Sequence, residues 1–182
     1  MESTEAKHTR DRFEQNVLSH LDGIYTAATY LGRTNAEAAD LAQKTMVEAY
    51  RHFGQLPEDT DYKKWVFTIL ASIEESEARI RTAHRYPSHS SDEKFSYRPV
   101  EALRYIDVTG QEFFSEISRE EIQETTRNLP DDLRLMVALF FVGEFSYSDL
   151  ADITGLPVEI VRTRLHLGRQ QLREMILDLC PA

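Results

Sequence analysis

Four side chains near the end of the chain, Arg162, His166, Arg169 and Arg173, are spaced 4, 3 and 4 residues apart, so on a helix they form one polar stripe. A guanidinium pairs with phosphate oxygens and reads guanine in the major groove through two parallel hydrogen bonds. Residues 158–177 carry four arginines against Glu159 and Glu174, a local positive excess in a chain of net charge −10. The chemistry on offer is recognition of nucleic acid. A solvated helix face carries the same pattern, and the sequence just ahead separates the two readings. Gly155 stands where a tight helix-to-helix turn needs positive φ, and Pro157 suits a first helical turn.

The stripe needs a scaffold. Val158, Val161, Leu165, Leu172 and Ile176 give its helix a separate inward face. Ahead of the glycine, Ser146 with Asp149 predicts a capped helix over 147–154, completing a helix-turn-helix signature. Further back, a helix over Asp131 to Val142 ends at Gly143, and Ser118 with Glu121 caps a short helix before Leu129-Pro130. The front of the chain is also helical. One helix is expected from Asp11 to Leu31, with Val17, Leu21, Ile24, Ala28 and Leu31 inward. A second is capped by Thr34 and Glu37 and buries Leu41, Met46, Ala49, Tyr50 and Phe53. A third begins near Asp61, with Tyr62, Trp65, Val66, Ile69 and Ile73 inward. Between Arg85 and Ser118 the period fails, and Tyr86 to Asp92 has linker composition. The expected architecture is all-α: a helical domain over 11–86, a flexible linker over 87–117, and a second helical domain over 118–180 ending in the helix-turn-helix.

Composition narrows the function. The 182 residues are 41% hydrophobic and 29% charged, as in ordinary globular chains. No apolar run reaches the ~20 residues a bilayer needs, and the mixed-charge start, Met1 to Arg12, does not read as a secretory signal. The lone cysteine, Cys180, fits a reducing cytoplasm and forms no intrachain disulfide. With 31 acidic against 21 basic residues, broad non-specific DNA binding is disfavoured, so a DNA surface must be one face of one helix. The six histidines lack metal-ligand spacing. Glu74, Glu75 and Glu77 have no supporting base, nucleophile or glycine-rich loop, so they read as a solvated face rather than a catalytic set. No enzyme activity, cofactor or metal is implied, and Trp65 reads as core.

Two stretches together resemble a known family. Leu129-Pro130-Asp131-Asp132-Leu133-Arg134, then Phe145 to Ile153, then Pro157-Val158 and Arg162-Thr163-Arg164-Leu165-His166 are similar to region 4 of extracytoplasmic-function (ECF) bacterial sigma factors. Asn35 to Gln43, Ala49-Tyr50-Arg51 and Trp65 to Leu70 resemble region 2 of the same family, in the same order. The resemblance implies a factor that binds core RNA polymerase and promoter DNA, with an anti-sigma factor as a further partner. It implies −35 reading by Arg162, Thr163, Arg164, His166 and Arg169. It implies −10 contacts from Trp65, Ile69, Ser72, Arg79 and Arg81, beside the Gln55–Thr60 loop. Asp40, Gln43 and Lys44 would face the polymerase. The chain departs from the family in places. Ser72 aligns with the asparagine expected at a flipped −10 base, and Glu74, Glu75 and Glu77 stand where phosphate should pass. Lys44 replaces a glutamate, while Leu167 and Phe140 replace arginines. Those departures motivate an alternative: a sigma-like protein that works through protein contacts, as an anti-sigma decoy or polymerase-binding regulator, without melting promoters.

Overall fold

The computed structural model describes residues 4–85 and 118–179; the expected linker, its aromatic residues and Cys180 lie outside them. Eight α-helices and one 3-10 turn make up the described residues: α1 Thr4–Asn16, the 3-10 turn Leu18–His20, α2 Leu21–Tyr30, α3 Asn35–Phe53, α4 Tyr62–Arg85, α5 Arg119–Thr126, α6 Asp131–Gly143, α7 Tyr147–Thr154 and α8 Val158–Leu179. No helix among them is long and apolar enough to cross a membrane.

Local chemistry starts these helices. The three capping boxes expected at Thr34/Glu37, Ser118/Glu121 and Ser146/Asp149 are all formed, each hydroxyl accepting from the N3 amide while the N3 carboxylate returns to the cap's own N–H. Asp61 starts α4 by accepting from the Lys64 amide at 3.0 Å.

The front of the chain corrects the sequence reading. The expected helix from Asp11 to Leu31 is two helices, and the first begins at Thr4. Between them the 3-10 turn advances each residue by roughly 120° rather than 100°, which over three residues rotates the following face by about 60°. Val17, Ile24, Ala28 and Leu31 are buried as expected, but Leu21 is turned out to solvent. Tyr50 also leaves the core, packing edge-on against Phe13 from outside at 5.1 Å. On α4 the buried face lies one residue further round than expected. Val66, Phe67, Leu70 and Ala71 are buried, while Tyr62, Trp65, Ile69 and Ile73 sit half-buried at the core's edge.

In the second module α6 is the central helix, and α8 packs along it. Gly168 makes this close approach possible: a β-carbon there would lie 2.8 Å from Val137 Cγ2. The stop at the end of α6 also differs from expectation. Glu144, not Gly143, takes the left-handed conformation, at φ 53°. Gly143 is required for space, because the Phe145 ring folds back to within 2.2 Å of where its β-carbon would be.

The two modules lie against one another. α2 packs on α5 and α6, and α4 packs on α7. Phe67 of α4 meets Phe145 edge-on at 5.0 Å, and the Lys63 ammonium lies 5.2 Å over the same ring. Lys64 reaches Asp152 at 3.0 Å and Asp149 at 3.4 Å on α7. Arg134 of α6 donates to the carbonyls of Leu31, Thr126 and Leu129 at 3.2, 3.2 and 2.6 Å, closing the ends of α2 and α5 with a single guanidinium.

Candidate nucleic-acid interface

Helix α8 is presented by a short, rigid turn. α7 ends at Gly155, which adopts φ 65° as its place in the sequence requires. The amides of Ile160 and Val161 then donate to the Pro157 carbonyl, opening α8. Val161, Leu165, Leu172 and Ile176 bury one face of that helix, while Val158 is only half-buried.

The polar side chains opposite are not equivalent. Arg162 and Arg173 are exposed, and Thr163, Arg164, His166 and Arg169 are half-buried. The Arg162 guanidinium carbon lies 5.9 Å from the Tyr147 ring centroid, and that of Arg169 lies 5.3 Å from Phe140. Thr163 bonds back to the Glu159 carbonyl at 2.8 Å. Arg164 turns toward the start of α6, where its Nε sits 3.5 Å from Asp132. That Nε is buried and makes no aligned hydrogen bond.

In the first module, Trp65, Ile69 and Ser72 line one groove together with His52, Thr68 and Ser76, between α3 and α4. Trp65 is therefore an edge residue with one side on this groove rather than an enclosed core residue. Arg79 is exposed beside Glu75 at 3.9 Å, and Arg81 reaches Glu74 at 2.7 Å and Asp131 at 3.8 Å. These two arginines lie further along α4 and are not among the residues lining the groove.

The acidic run is where the structure departs furthest from expectation. Glu74 is only 4% exposed. Arg33, from the turn between α2 and α3, bonds to it through both Nε and Nη2, and Arg81 holds its other oxygen. Glu77 accepts from Arg33 at 2.6 Å and from Lys44 at 2.9 Å, and Lys44 also reaches Asp40 at 2.6 Å. Burial alone would lower the Arg33 pKa, but Glu74 and Glu77 outweigh it and raise it. Burial pushes the Glu77 carboxyl up, and Lys44 and Arg33 overcome this to hold it below the ordinary glutamate value. Glu74 and Glu77 are thus internal braces, not a solvated acidic face. The sequence does contain a signal for this. Phe67, Leu70, Glu74, Glu77 and Arg81 continue one helical stripe whose first members are core. The partner, Arg33, is 41 residues from Glu74 and carries no such signal.

Asp40, Gln43 and Lys44 are exposed on α3. Beside them runs a groove between α2 and α3 lined by Leu18, Leu21, Tyr25, Met46, Val47 and Tyr50. The sequence reading missed this apolar face by placing Leu21 and Tyr50 inside. Among the described residues, no group of side chains is arranged to hold a metal ion.

Comparison with known proteins agrees with this geometry. Residues 119–172, which span α5 to most of α8, match the family model described as Sigma-70, region 4. The ECF RNA polymerase sigma factor SigW of Bacillus subtilis is 27% identical over 180 residues, covering 95% of this chain and 93% of that protein. The sigma factor RpoE of Bartonella quintana, solved in complex with the anti-sigma factor NepR, shares the fold with a TM-score of 0.66 at 23% identity, over 91% of this chain and 96% of that one. CnrH, solved with the cytosolic domain of CnrY, gives a TM-score of 0.61 at 21% identity over 97% and 96% of the two chains.

Proposed function

Because the chain belongs to the extracytoplasmic-function family of RNA polymerase sigma factors, we propose that it acts by binding rather than by chemistry, directing core RNA polymerase to particular promoters. Helix α8 enters the major groove of the −35 element, with Arg162 as the leading contact. The groove of Trp65, Ile69 and Ser72 receives the opened −10 strand. The exposed face of α3 around Asp40, Gln43 and Lys44, with the apolar groove beside it, docks on the polymerase. This assignment places the protein in the cytoplasm.

One observation carries the reading: α7, Gly155 and α8 form a helix-turn-helix from which Arg162 projects into solvent, inside the segment that matches sigma region 4. The acidic run that motivated a decoy or polymerase-binding regulator without promoter melting no longer supports that alternative, since Glu74 and Glu77 are spent on Arg33, Arg81 and Lys44. By likeness to sigma factors solved with anti-sigma factors, an anti-sigma factor is the expected regulator.

The test is a titration of labelled full-length protein with core RNA polymerase, followed by selection of bound duplexes from a randomised pool. Saturable binding and enrichment of a common motif are expected. Arg162→Ala should weaken binding of that motif by about 1–3 kcal/mol. Absence of polymerase binding at micromolar concentration would overturn the proposal.

A further inference from the structure

We infer that Phe140 and Tyr147 are positioning residues, a two-ring platform that sets the guanidiniums of Arg162 and Arg169 along the DNA-facing side of α8. The inference rests on the reading of α8 as the −35 helix. Four groups from three helices lie in sequence: Arg162 over Tyr147 at 5.9 Å, Tyr147 stacked with Phe140 at 6.2 Å and 26°, and Arg169 over Phe140 at 5.3 Å. The arginines come from α8, Tyr147 opens α7, and Phe140 lies near the end of α6. Seven residues separate the two arginines, two turns and roughly 10.5 Å along the helix. The ring pair spans that interval.

The face of an aromatic ring is negative and attracts a cation above it. A guanidinium stacks through its face, while its N–H donors lie in its plane and point outward to a base edge or a phosphate. A ring beneath Arg162 therefore restricts its rotamers without occupying its donors. Arg162 itself makes no hydrogen bond or ion pair among the described residues. Arg164 is held in the opposite way, with its Nε toward the Asp132 carboxylate, which competes with phosphate for the same donor. The platform also accounts for Phe140 standing where family resemblance expects a DNA-contacting arginine. Here that position supports an arginine supplied by the neighbouring helix.

The test has two arms on the full-length protein. In the free protein, ring currents from Tyr147 and Phe140 should displace the Cδ proton resonances of Arg162 and Arg169. Tyr147→Leu and Phe140→Leu should abolish the respective displacement, and Tyr147→Phe should retain it. In complex with core polymerase, using a duplex selected from the randomised pool, each Leu variant should weaken binding about two- to fivefold. Tyr147→Phe should restore it, and Tyr147→Leu should add nothing once Arg162 is alanine. An equal loss with Arg162 present or absent would overturn the platform, as would arginine resonances indifferent to the rings. Wild-type affinity in both Arg162→Ala and Arg169→Ala would instead overturn the reading of α8 as a DNA helix, with the ring-current result standing apart from it. If a Leu variant fails to fold, Phe140→Met and Tyr147→Met, which keep the volume but remove the ring, with Arg162→Ala as the partner substitution, measure the same coupling.

Discussion

Lys64 on α4 lies 3.0 Å from Asp152 on α7, so the helix that lines the Trp65 groove is joined by charge to the first helix of the helix-turn-helix. Its second partner, Asp149, is also the N3 carboxylate of the capping box that starts α7, and the Ser146 hydroxyl is the main cause of that carboxyl's lowered pKa. One carboxylate thus serves both the start of a helix and the seam between modules.

Pairs at such a rim are screened by salt. Lys64→Glu, which sets like charges against Asp149 and Asp152, should loosen the seam. Small-angle scattering at low ionic strength should give a larger radius of gyration for the variant. The wild type should approach the same value as salt is raised. Identical, salt-independent curves for the two proteins would mean that Lys64 does not hold the modules together.

Replacing Glu74 by lysine, the change that would make the α4 run more like a basic DNA path, is expected to destabilise rather than activate the protein. It breaks a buried pair and leaves Arg33 and Arg81 facing a third cation, at a cost of about 3–5 kcal/mol. The urea midpoint should fall accordingly. The same charge placed at Glu75, which is only half-buried and paired with Arg79 alone at 3.9 Å, should leave the midpoint within about 0.5 kcal/mol of wild type.

The lowered pKa of Glu77 gives a pH dependence of definite sign. Its carboxyl titrates below the ordinary 4.5 in the folded state, so the unfolded chain takes up the proton first. The stability it contributes is fully present above that ordinary value and is lost as pH falls through it to the lowered one. Arg33 stays charged throughout. Thermal midpoints measured from pH 7 to pH 3 should therefore decline less steeply in Glu77→Gln than in the wild type, although the variant starts lower.

Gly168→Ala places a methyl 2.8 Å from Val137 Cγ2, closer than real β-carbons approach. Overpacking of this kind costs about 1–3 kcal/mol. Val137→Ala alone should also destabilise, by leaving a void. Combined, the two changes should cost clearly less than their sum, which a double-mutant cycle in urea would show.

What could be read from the sequence was local. The capping boxes at Thr34, Ser118 and Ser146 and the left-handed Gly155 each depend on residues within a few positions, so their geometry follows from spacing alone. The 3-10 turn was not legible, because the apolar period runs through it unbroken while the backbone changes pitch. That single change sent Leu21 outward. In the candidate site, the Arg162 stripe was legible as a helix face, but the difference between Arg162 and Arg164 was not. It depends on Tyr147 and Asp132, which lie on other helices. Arg33 was missed for the same reason: Glu74 continues a periodic stripe on α4, but its partner lies 41 residues away on another element.

Of the three bonds from Arg134, the one to Leu31 crosses between the modules, and it has a bearing on how freely that seam can vary. Its acceptor is the main-chain carbonyl of Leu31, and every amino acid at that position supplies the same oxygen. Most contacts between the modules, such as Phe67 with Phe145, need two compatible side chains and are lost when either drifts. This one needs a single side chain. The joint between the two halves is addressed to the backbone, so neighbouring sequence can change around it while the joint itself persists.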